Sequence, residues 1–162
     1  MKILIVTTGG TIDKVYFDVH DYYKIGESQI AEILEESNVT VGYEVVTLFR
    51  KDSLELTDED RALIRQTVEA NGHERVVVTH GTDTMVETAK VLEGVPEKTI
   101  VLTGSLSPAR FKSSDAVFNV GCALAAVQCL PPGVYIAMNG RVFSSHNVRK
   151  NREQNRFEEV AS

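Results

Sequence analysis

The 162-residue sequence contains no tryptophan, four prolines and only two cysteines. Cys122 and Cys129 lie seven residues apart in a predicted helix, without a CxxC motif or a neighbouring histidine, so we expect free, buried thiols. No pair of histidines has the spacing of metal ligands. The histidines are His20, His73, His80 and His146. The sequence therefore predicts no metal centre and no cofactor.

Basic residues are in the minority, with 17 lysines and arginines against 23 aspartates and glutamates, which gives a formal charge of −6. A net negative surface repels phosphate backbones, so we expect no nucleic-acid partner. Long apolar runs are lacking too, because the run ILIV at residues 3–6 is too short for a signal peptide and no later stretch approaches a membrane span. We therefore expect no membrane association and a cytoplasmic location.

Short apolar, β-branched runs predict five strands, and three of them are nearly continuous, as in strands buried on both faces of a parallel sheet. They cover residues 2–7, 43–49, 75–80, 98–104 and 133–138. Helical spacing predicts a helix in each segment between them: SQIAEILEES, TDEDRALIRQTVEA, TDTMVETAKVLEG and SDAVFNVGCALAAVQC. The second of these opens with a capping signature, Thr57 followed by Asp60.

This alternation of strands and helices predicts an α/β fold of one domain over residues 1–162. For five such strands we expect a flavodoxin-like open parallel sheet of order 2-1-3-4-5, with helices on both faces in a three-layer α/β/α arrangement. The charged tail RKNREQNRFEEVAS is expected to be a solvated terminal segment without a sixth strand. Ligands of this architecture bind where strands 1 and 3 end.

Two polar, glycine-containing motifs follow those strands: TTGGT after strand 1 and HGTDT after strand 3. Neither is a phosphate-binding GxGxxG or P-loop motif. Thr82 beside Asp83 at a predicted helix N-terminus favours hydroxyl nucleophile chemistry, in which Thr needs a nearby base. The amides of the glycines are candidates for an oxyanion hole. These glycines are Gly9, Gly10 and Gly81. An isolated Thr in such a place is more commonly a helix cap or turn hydroxyl.

Four motifs in order, TGGTI, HGTDT, TGS with a downstream SDAVFN, and MNGRVFSSHNVRK, resemble the bacterial-type L-asparaginases. Those enzymes are threonine amidohydrolases that convert asparagine to aspartate and ammonia. The resemblance runs from Lys2 to about Arg156. It implies a small-molecule amide substrate, no cofactor, and a homo-oligomer, either dimer or tetramer.

The resemblance also implies roles for single residues. Thr11 matches the primary nucleophile of the family. Thr82 and Asp83 match its second threonine and aspartate, and Lys150 matches the lysine that completes a proton relay with them. Tyr23 resembles the tyrosine of a mobile lid, here the aromatic-rich stretch 13–26, with the adjacent Tyr22 as the alternative. Ser53 matches a substrate-binding serine and Ser105 lies near a pocket-lining position. With the two motif glycines, the expected substrate-binding set is Gly10, Ser53, Gly81 and Ser105.

The sequence departs from the family pattern at Leu54 and in the segment SPARFKSS, both of which concern substrate selection. Chains of the family continue into a second, smaller domain that contributes to substrate binding in a neighbouring subunit, and this sequence stops before it. We therefore expect a short form without the C-terminal domain, which hydrolyses asparagine or a related small amide. The alternative is a non-catalytic module that binds or senses a small amino acid or dicarboxylate in the same crevice. A tRNA-dependent amidotransferase role is less favoured, because the sequence shows no basic surface.

Overall fold

Within residues 1–17 and 22–160, which a computed structural model describes, the chain forms a six-stranded sheet, two hairpins and four α-helices. The strands are β1 (Lys2–Gly9), β2 (Lys14–Phe17), β3 (Tyr22–Ile25), β4 (Gly42–Lys51), β5 (Arg75–Thr79), β6 (Thr99–Thr103), β7 (Gly133–Met138), β8 (Arg141–Ser144), β9 (Arg149–Asn151) and β10 (Arg156–Glu158). The helices are α1 (Ile30–Glu36), α2 (Asp58–Ala70), α3 (Met85–Leu92) and α4 (Ala116–Cys129).

The main sheet has the order β4-β1-β5-β6-β7-β8. Its first five strands are parallel neighbours, and only β8 runs antiparallel, beside β7. In the numbering of the five predicted strands this is the order 2-1-3-4-5, so the predicted flavodoxin-like topology is confirmed. The carboxyl ends of β1 and β5 therefore lie side by side at one edge.

Alternate side chains of each buried strand enter two separate cores, as the period of a strand requires. Leu4 and Val6 of β1 belong to a cluster that includes residues of α2 and α3, among them Ile64. Ile3 and Ile5 belong to the opposite cluster, with residues of α1 and α4. The helices thus cover both faces of the sheet, and the three-layer prediction is confirmed.

The predicted cap of α2 is present. Thr57 Oγ1 accepts a hydrogen bond from the Asp60 amide at 3.2 Å, and the Asp60 carboxylate accepts one from the Thr57 amide at 3.0 Å. The same carboxylate pairs with Lys51 Nζ at 2.8 Å. The start of α2 is therefore tied to the end of β4.

The sheet has a sixth strand, β8, in addition to the five that the sequence predicts, and this strand precedes the tail. Asn139 and Gly140 have φ angles of 55° and 71°, the left-handed conformation that a tight two-residue hairpin requires. The chain reverses there, and β8 pairs with β7. The dipeptide Asn-Gly between two apolar stretches is the sequence signal for this hairpin.

Most of the described side chains of the tail are exposed, as predicted, but its backbone is folded. Strands β9 and β10 form an antiparallel hairpin, in which Phe157 pairs with Lys150. The Phe157 side chain joins the core cluster with Val148 and is 2% exposed. Its amide donates to Asn139 Oδ1 at 2.8 Å. One buried aromatic ring therefore anchors a segment that is otherwise charged.

Helix α4 has no charged side chain in its 14 residues. Its cysteines are free, as expected, but Cys122 is only partly buried and Cys129 is exposed, so the prediction that both are buried is wrong. Over residues 1–17 and 22–160, no helix combines the length and the apolar character needed to span a membrane.

Candidate active site

Two glycines bring the ends of β1 and β5 into contact. A Cβ atom on Gly10 would lie 2.4 Å from the backbone nitrogen of Gly81, and Gly10 has a φ of 90°. Any side chain at position 10 would therefore both collide and strain the backbone. As the strand order predicts, the motifs TTGGT and HGTDT face each other across this contact.

A threonine follows each of these glycines. Thr11 opens a short 3-10 turn (Thr11–Asp13) and is partly exposed. Thr82 follows Gly81 before the start of α3 and is 6% exposed. The two predicted threonines thus leave the same backbone contact, and Thr11 is the more accessible of the pair.

Lys150 joins Thr82 and Asp83 by hydrogen bonds. Its Nζ donates to Thr82 Oγ1 and to Asp83 Oδ1, each at 2.8 Å. The lysine side chain is 11% exposed. Its strand β9 is held by the buried ring of Phe157 on the opposite strand. The hairpin of the tail therefore brings together three residues that lie 67 and 68 positions apart in the sequence.

The Asp83 carboxylate has several cations around it. Arg152 Nη1 lies 3.8 Å from Asp83 Oδ1, and Arg152 Nη2 donates to the Asp83 carbonyl at 3.2 Å. The hydrogen bond from Lys150 lowers the pKa of Asp83 below its ordinary value, and the charges of Lys150, Arg152 and Lys14 lower it further against the opposing effect of burial. Asp83 is therefore an ionised carboxylate at neutral pH.

Ser53 lies directly against the HGTDT motif. It opens a 3-10 turn (Ser53–Glu55) after β4 and is 2% exposed. A Cβ atom on Gly81 would lie 2.6 Å from Ser53 Cβ. The Ser53 carbonyl also accepts a hydrogen bond from Thr84 Oγ1 at 2.8 Å. The residue expected to bind substrate is thus held between Gly81 and Thr84 of the segment that contains Thr82.

Two groups expected to face a substrate are already bonded within the fold. The Gly10 amide donates to the Lys51 carbonyl at 2.9 Å. The Ser105 hydroxyl donates to the Ser107 carbonyl, and Ser105 is 1% exposed. Either group would have to give up that bond to contact a ligand. In this structure the Gly10 amide is directed toward β4, and the Ser105 hydroxyl proton is directed into its own loop.

The aromatic stretch that predicts a lid is the β2–β3 hairpin, in which Tyr16 pairs with Tyr23. The Tyr23 ring makes edge contacts with Tyr16, at a centroid distance of 5.6 Å, and with Phe111 at 5.7 Å. Phe111 lies in the loop SPARFKSS, so Tyr23 connects the hairpin to the segment after β6. Tyr22, the alternative lid tyrosine, lies opposite residue 17 in the same pair of strands. Residues 18–21 of the predicted lid, which include His20, lie outside the described residues.

A sequence profile of the family described as "Asparaginase, N-terminal" matches residues 2–160. The chain belongs to the asparaginase N-terminal family. The four motifs that carry the resemblance in the sequence all lie within the matched range.

Named relatives of this family share about a third of their aligned residues with the chain. The L-asparaginase of Thermococcus kodakarensis is 32% identical over 160 residues, which cover 93% of this chain and 48% of that protein. A probable periplasmic L-asparaginase of Haemophilus influenzae is 31% identical over 160 residues, which cover 92% and 46%. A component of the glutamyl-tRNA(Gln) amidotransferase of Methanococcus vannielii is 32% identical over 153 residues, which cover 87% and 35%.

The structural comparison agrees with the sequence comparison. The thermostable L-asparaginase from Thermococcus kodakarensis superimposes with a TM-score of 0.87 at 28% identity, covering 99% of this chain and 51% of that one. The chain thus spans about half the length of the asparaginase relatives that it matches.

Sequence reasoning missed two buried ionisable side chains in the family motifs. Asp13, two residues after Thr11, is 2% exposed, and its carboxylate accepts a hydrogen bond from the Gln29 amide at 2.8 Å. Burial raises the pKa of Asp13 to about 6, although the Gln29 bond opposes this. His80 is fully buried, which lowers its pKa to about 4. His80 opens the motif HGTDT and Asp13 directly follows TGGTI, so their position at the motifs was the available signal.

Asp13→Asn is expected to stabilise the fold at pH 7 by up to about 3 kcal/mol. The pKa of Asp13 rises from 3.8 to about 6 on folding, so the wild type loses stability as the pH rises through 6. The variant has no such loss, and its amide oxygen can still accept from Gln29. Urea unfolding at pH values between about 4 and 8 measures the difference. Asp58→Asn, at a fully exposed side chain, is the control and should change stability by less than about 0.5 kcal/mol.

The quantity to follow is the difference in free energy of unfolding between Asp13→Asn and wild type. His80 changes the stability of both proteins with pH in the direction opposite to Asp13, and the difference removes its contribution. Its pKa is lowered from 6.5 to about 4 on folding, so its contribution to stability is lost as the pH falls through that range. The two slopes partly cancel in the wild type. A difference that stays constant from pH 4 to pH 7 would contradict the raised pKa of Asp13.

Proposed function

We propose that this chain carries the catalytic site of a threonine amidohydrolase, which converts L-asparagine or a related small amide to the acid and ammonia. The observation that carries the proposal is the pair of hydrogen bonds from Lys150 to Thr82 and Asp83, beside the glycine contact from which Thr11 starts. Membership of the asparaginase N-terminal family and the names of its relatives support the reaction class.

In this proposal Thr11 Oγ attacks the carboxamide carbon of the substrate. Its proton passes to the Thr82–Lys150–Asp83 group and then to the leaving nitrogen, which departs as ammonia. The resulting ester between Thr11 and the acyl group is hydrolysed by water, which regenerates the hydroxyl and releases the acid. A Thr hydroxyl needs such a proton acceptor because it is a weak nucleophile at its own pKa.

We further propose that the chain acts as a homo-oligomer, a dimer or tetramer, in the cytoplasm. Val117 and Phe118 on the outer side of α4 are 52% and 62% exposed, and the helix has no charged side chain to solvate that side. Such an apolar surface favours self-association. The name of one relative, by contrast, states a periplasmic location.

A binding module without turnover is the competing proposal. The Gly10 amide and the Ser105 hydroxyl are bonded within the fold, which leaves fewer donors for the oxyanion of a tetrahedral intermediate. A crevice of this kind can still hold a small amino acid or dicarboxylate. The two proposals share the ligand class and differ in whether a covalent step follows.

The test is release of ammonia by the purified protein from L-asparagine, L-glutamine and succinamate. An amidohydrolase releases ammonia and the matching acid in equal amounts. If none of the three amides yields ammonia at high concentration, the amidohydrolase proposal fails. Calorimetric binding of L-asparagine or L-aspartate without turnover would then establish the binding module.

A further inference from the structure

His80, the first residue of HGTDT, has hydrogen bonds at both ring nitrogens. Nδ1 lies 2.7 Å from the Gly81 carbonyl oxygen, and Nε2 lies 2.7 Å from Thr88 Oγ1 on α3. The whole residue is buried, with 0% exposure. The ring therefore bridges helix α3 and the peptide that leads into Thr82.

The direction of these bonds is fixed by the Gly81 carbonyl. A carbonyl oxygen can only accept, so Nδ1 carries the proton of the neutral ring and Nε2 is left as an acceptor. The Thr88 hydroxyl then donates to Nε2, and its oxygen accepts from Arg61 Nε on α2 at 3.2 Å. The bonds run in one sense, from Arg61 through Thr88 and His80 to the Gly81 carbonyl.

Both ends of this series of hydrogen bonds are held in place by further bonds. Arg61 is 8% exposed, and its Nη1 donates to the Leu56 carbonyl at 3.1 Å. The His80 amide donates to the Thr103 carbonyl of β6 at 2.9 Å. Burial, which lowers the pKa of His80, keeps the ring neutral over the whole range in which an amidohydrolase would be assayed. The bonding direction is therefore the same across that range.

The Gly81 carbonyl belongs to the peptide plane that precedes Thr82. Rotation of that plane moves the Thr82 hydroxyl relative to Lys150 Nζ, 2.8 Å away. Errors of about 1 Å in the placement of reacting groups cost on the order of 100-fold in rate. The His80 bond is thus placed to hold the peptide plane from which Thr82 starts.

We propose that Arg61, Thr88 and His80 form a positioning relay, which orients the Gly81–Thr82 peptide and through it the Thr82 hydroxyl. The inference rests on the proposed amidohydrolase function for its kinetic consequence, but not for its structural one. None of the three residues contacts a substrate in this proposal. They act through Thr82.

The test compares Thr88→Val, which keeps the shape but removes the hydroxyl, with Thr88→Ser, which keeps the hydroxyl. We expect Thr88→Val to lower kcat at least about 10-fold with KM changed less than about 2-fold. Thr88→Ser should retain most of the wild-type kcat. Thr67→Val, which removes the hydroxyl of a partly exposed threonine on α2, is the matched control and should leave kcat unchanged.

Long-range ¹⁵N NMR of the histidine rings provides a readout that turnover does not enter. Wild type and Thr88→Ser should show His80 protonated at Nδ1, and Thr88→Val should shift the amide signals of Thr82 and Asp83. If the wild type hydrolyses no amide, the amidohydrolase proposal fails, but these signals still decide whether the relay exists. Failure of the proposed function and failure of the relay can therefore be distinguished. A ring protonated at Nε2, or equal effects of Val and Ser on kcat per folded molecule, would overturn the relay.

Discussion

Thr11→Val is expected to lower the rate of ammonia release by about 10⁴-fold or more, the scale seen when a nucleophile is removed from a triad-type enzyme. Valine has nearly the volume of threonine but cannot form an ester with the substrate. Because the Thr11 residue is itself partly exposed, the substitution should not disturb the core. Initial rates under saturating amide, with the acid assayed alongside ammonia, measure the loss.

Thr47→Val is the control for this prediction. Thr47 lies on β4, outside both motifs, and its Oγ1 accepts a hydrogen bond from the Thr7 hydroxyl at 3.0 Å. Loss of that bond should cost about 1 kcal/mol of stability and leave turnover near wild type. Thr11→Val with more than a tenth of the wild-type rate would exclude Thr11 as the nucleophile, and the next hydroxyl to examine would be that of Thr82.

The fold could be predicted because the signals that determine it are local. Each buried strand is a short β-branched run, and each helix has its own apolar stripe, so the alternation can be counted along the chain. The strand order then follows from the small number of ways in which such units pack. That order makes β1 and β5 neighbours, so the two motifs that follow them are expected to meet.

The tail could not be predicted for the opposite reason. Its strands have three residues each, and a single apolar ring, Phe157, is responsible for its burial. The position of that ring depends on Asn139, 18 residues away, which accepts from its amide. A periodic pattern cannot form in so short a segment, so composition alone suggests a solvated terminus.

The hydrogen bond from the Gly10 amide to the Lys51 carbonyl could not be predicted, because it depends on the register between two strands. The pairing of β1 with β4 shifts between Thr7 and Gly9, so Gly9 lies opposite Lys51. This irregularity turns the Gly10 amide toward the Lys51 carbonyl instead of the crevice. Register shifts of this kind are set by the two strands together, and neither sequence segment specifies them alone.

Lys150→Met is expected to lower turnover by about 10²–10⁴-fold, the range of positioned proton transfer. Methionine fills much of the same buried volume, but it removes both hydrogen bonds, to Thr82 and to Asp83. Asp83 then loses the partner that contributes most to lowering its pKa. Rates measured from about pH 6 to 9 give the loss of turnover. Circular dichroism of the same samples shows whether the variant is folded.

Arg152→Met is the matched control for Lys150→Met, because Arg152 also faces the Asp83 carboxylate but is 63% exposed and 3.8 Å away. An exposed ion pair at that distance contributes less than about 1 kcal/mol, so we expect a change of only a few-fold in turnover.

The double variant Thr82→Val/Lys150→Met tests whether the two residues act together. If the two residues act as one proton-transferring unit, the double variant is no slower than Lys150→Met alone, because the second substitution removes nothing that still functions. Rate losses that multiply would mean that Thr82 and Lys150 act separately, and the proposed Thr82–Lys150–Asp83 group would have to be given up.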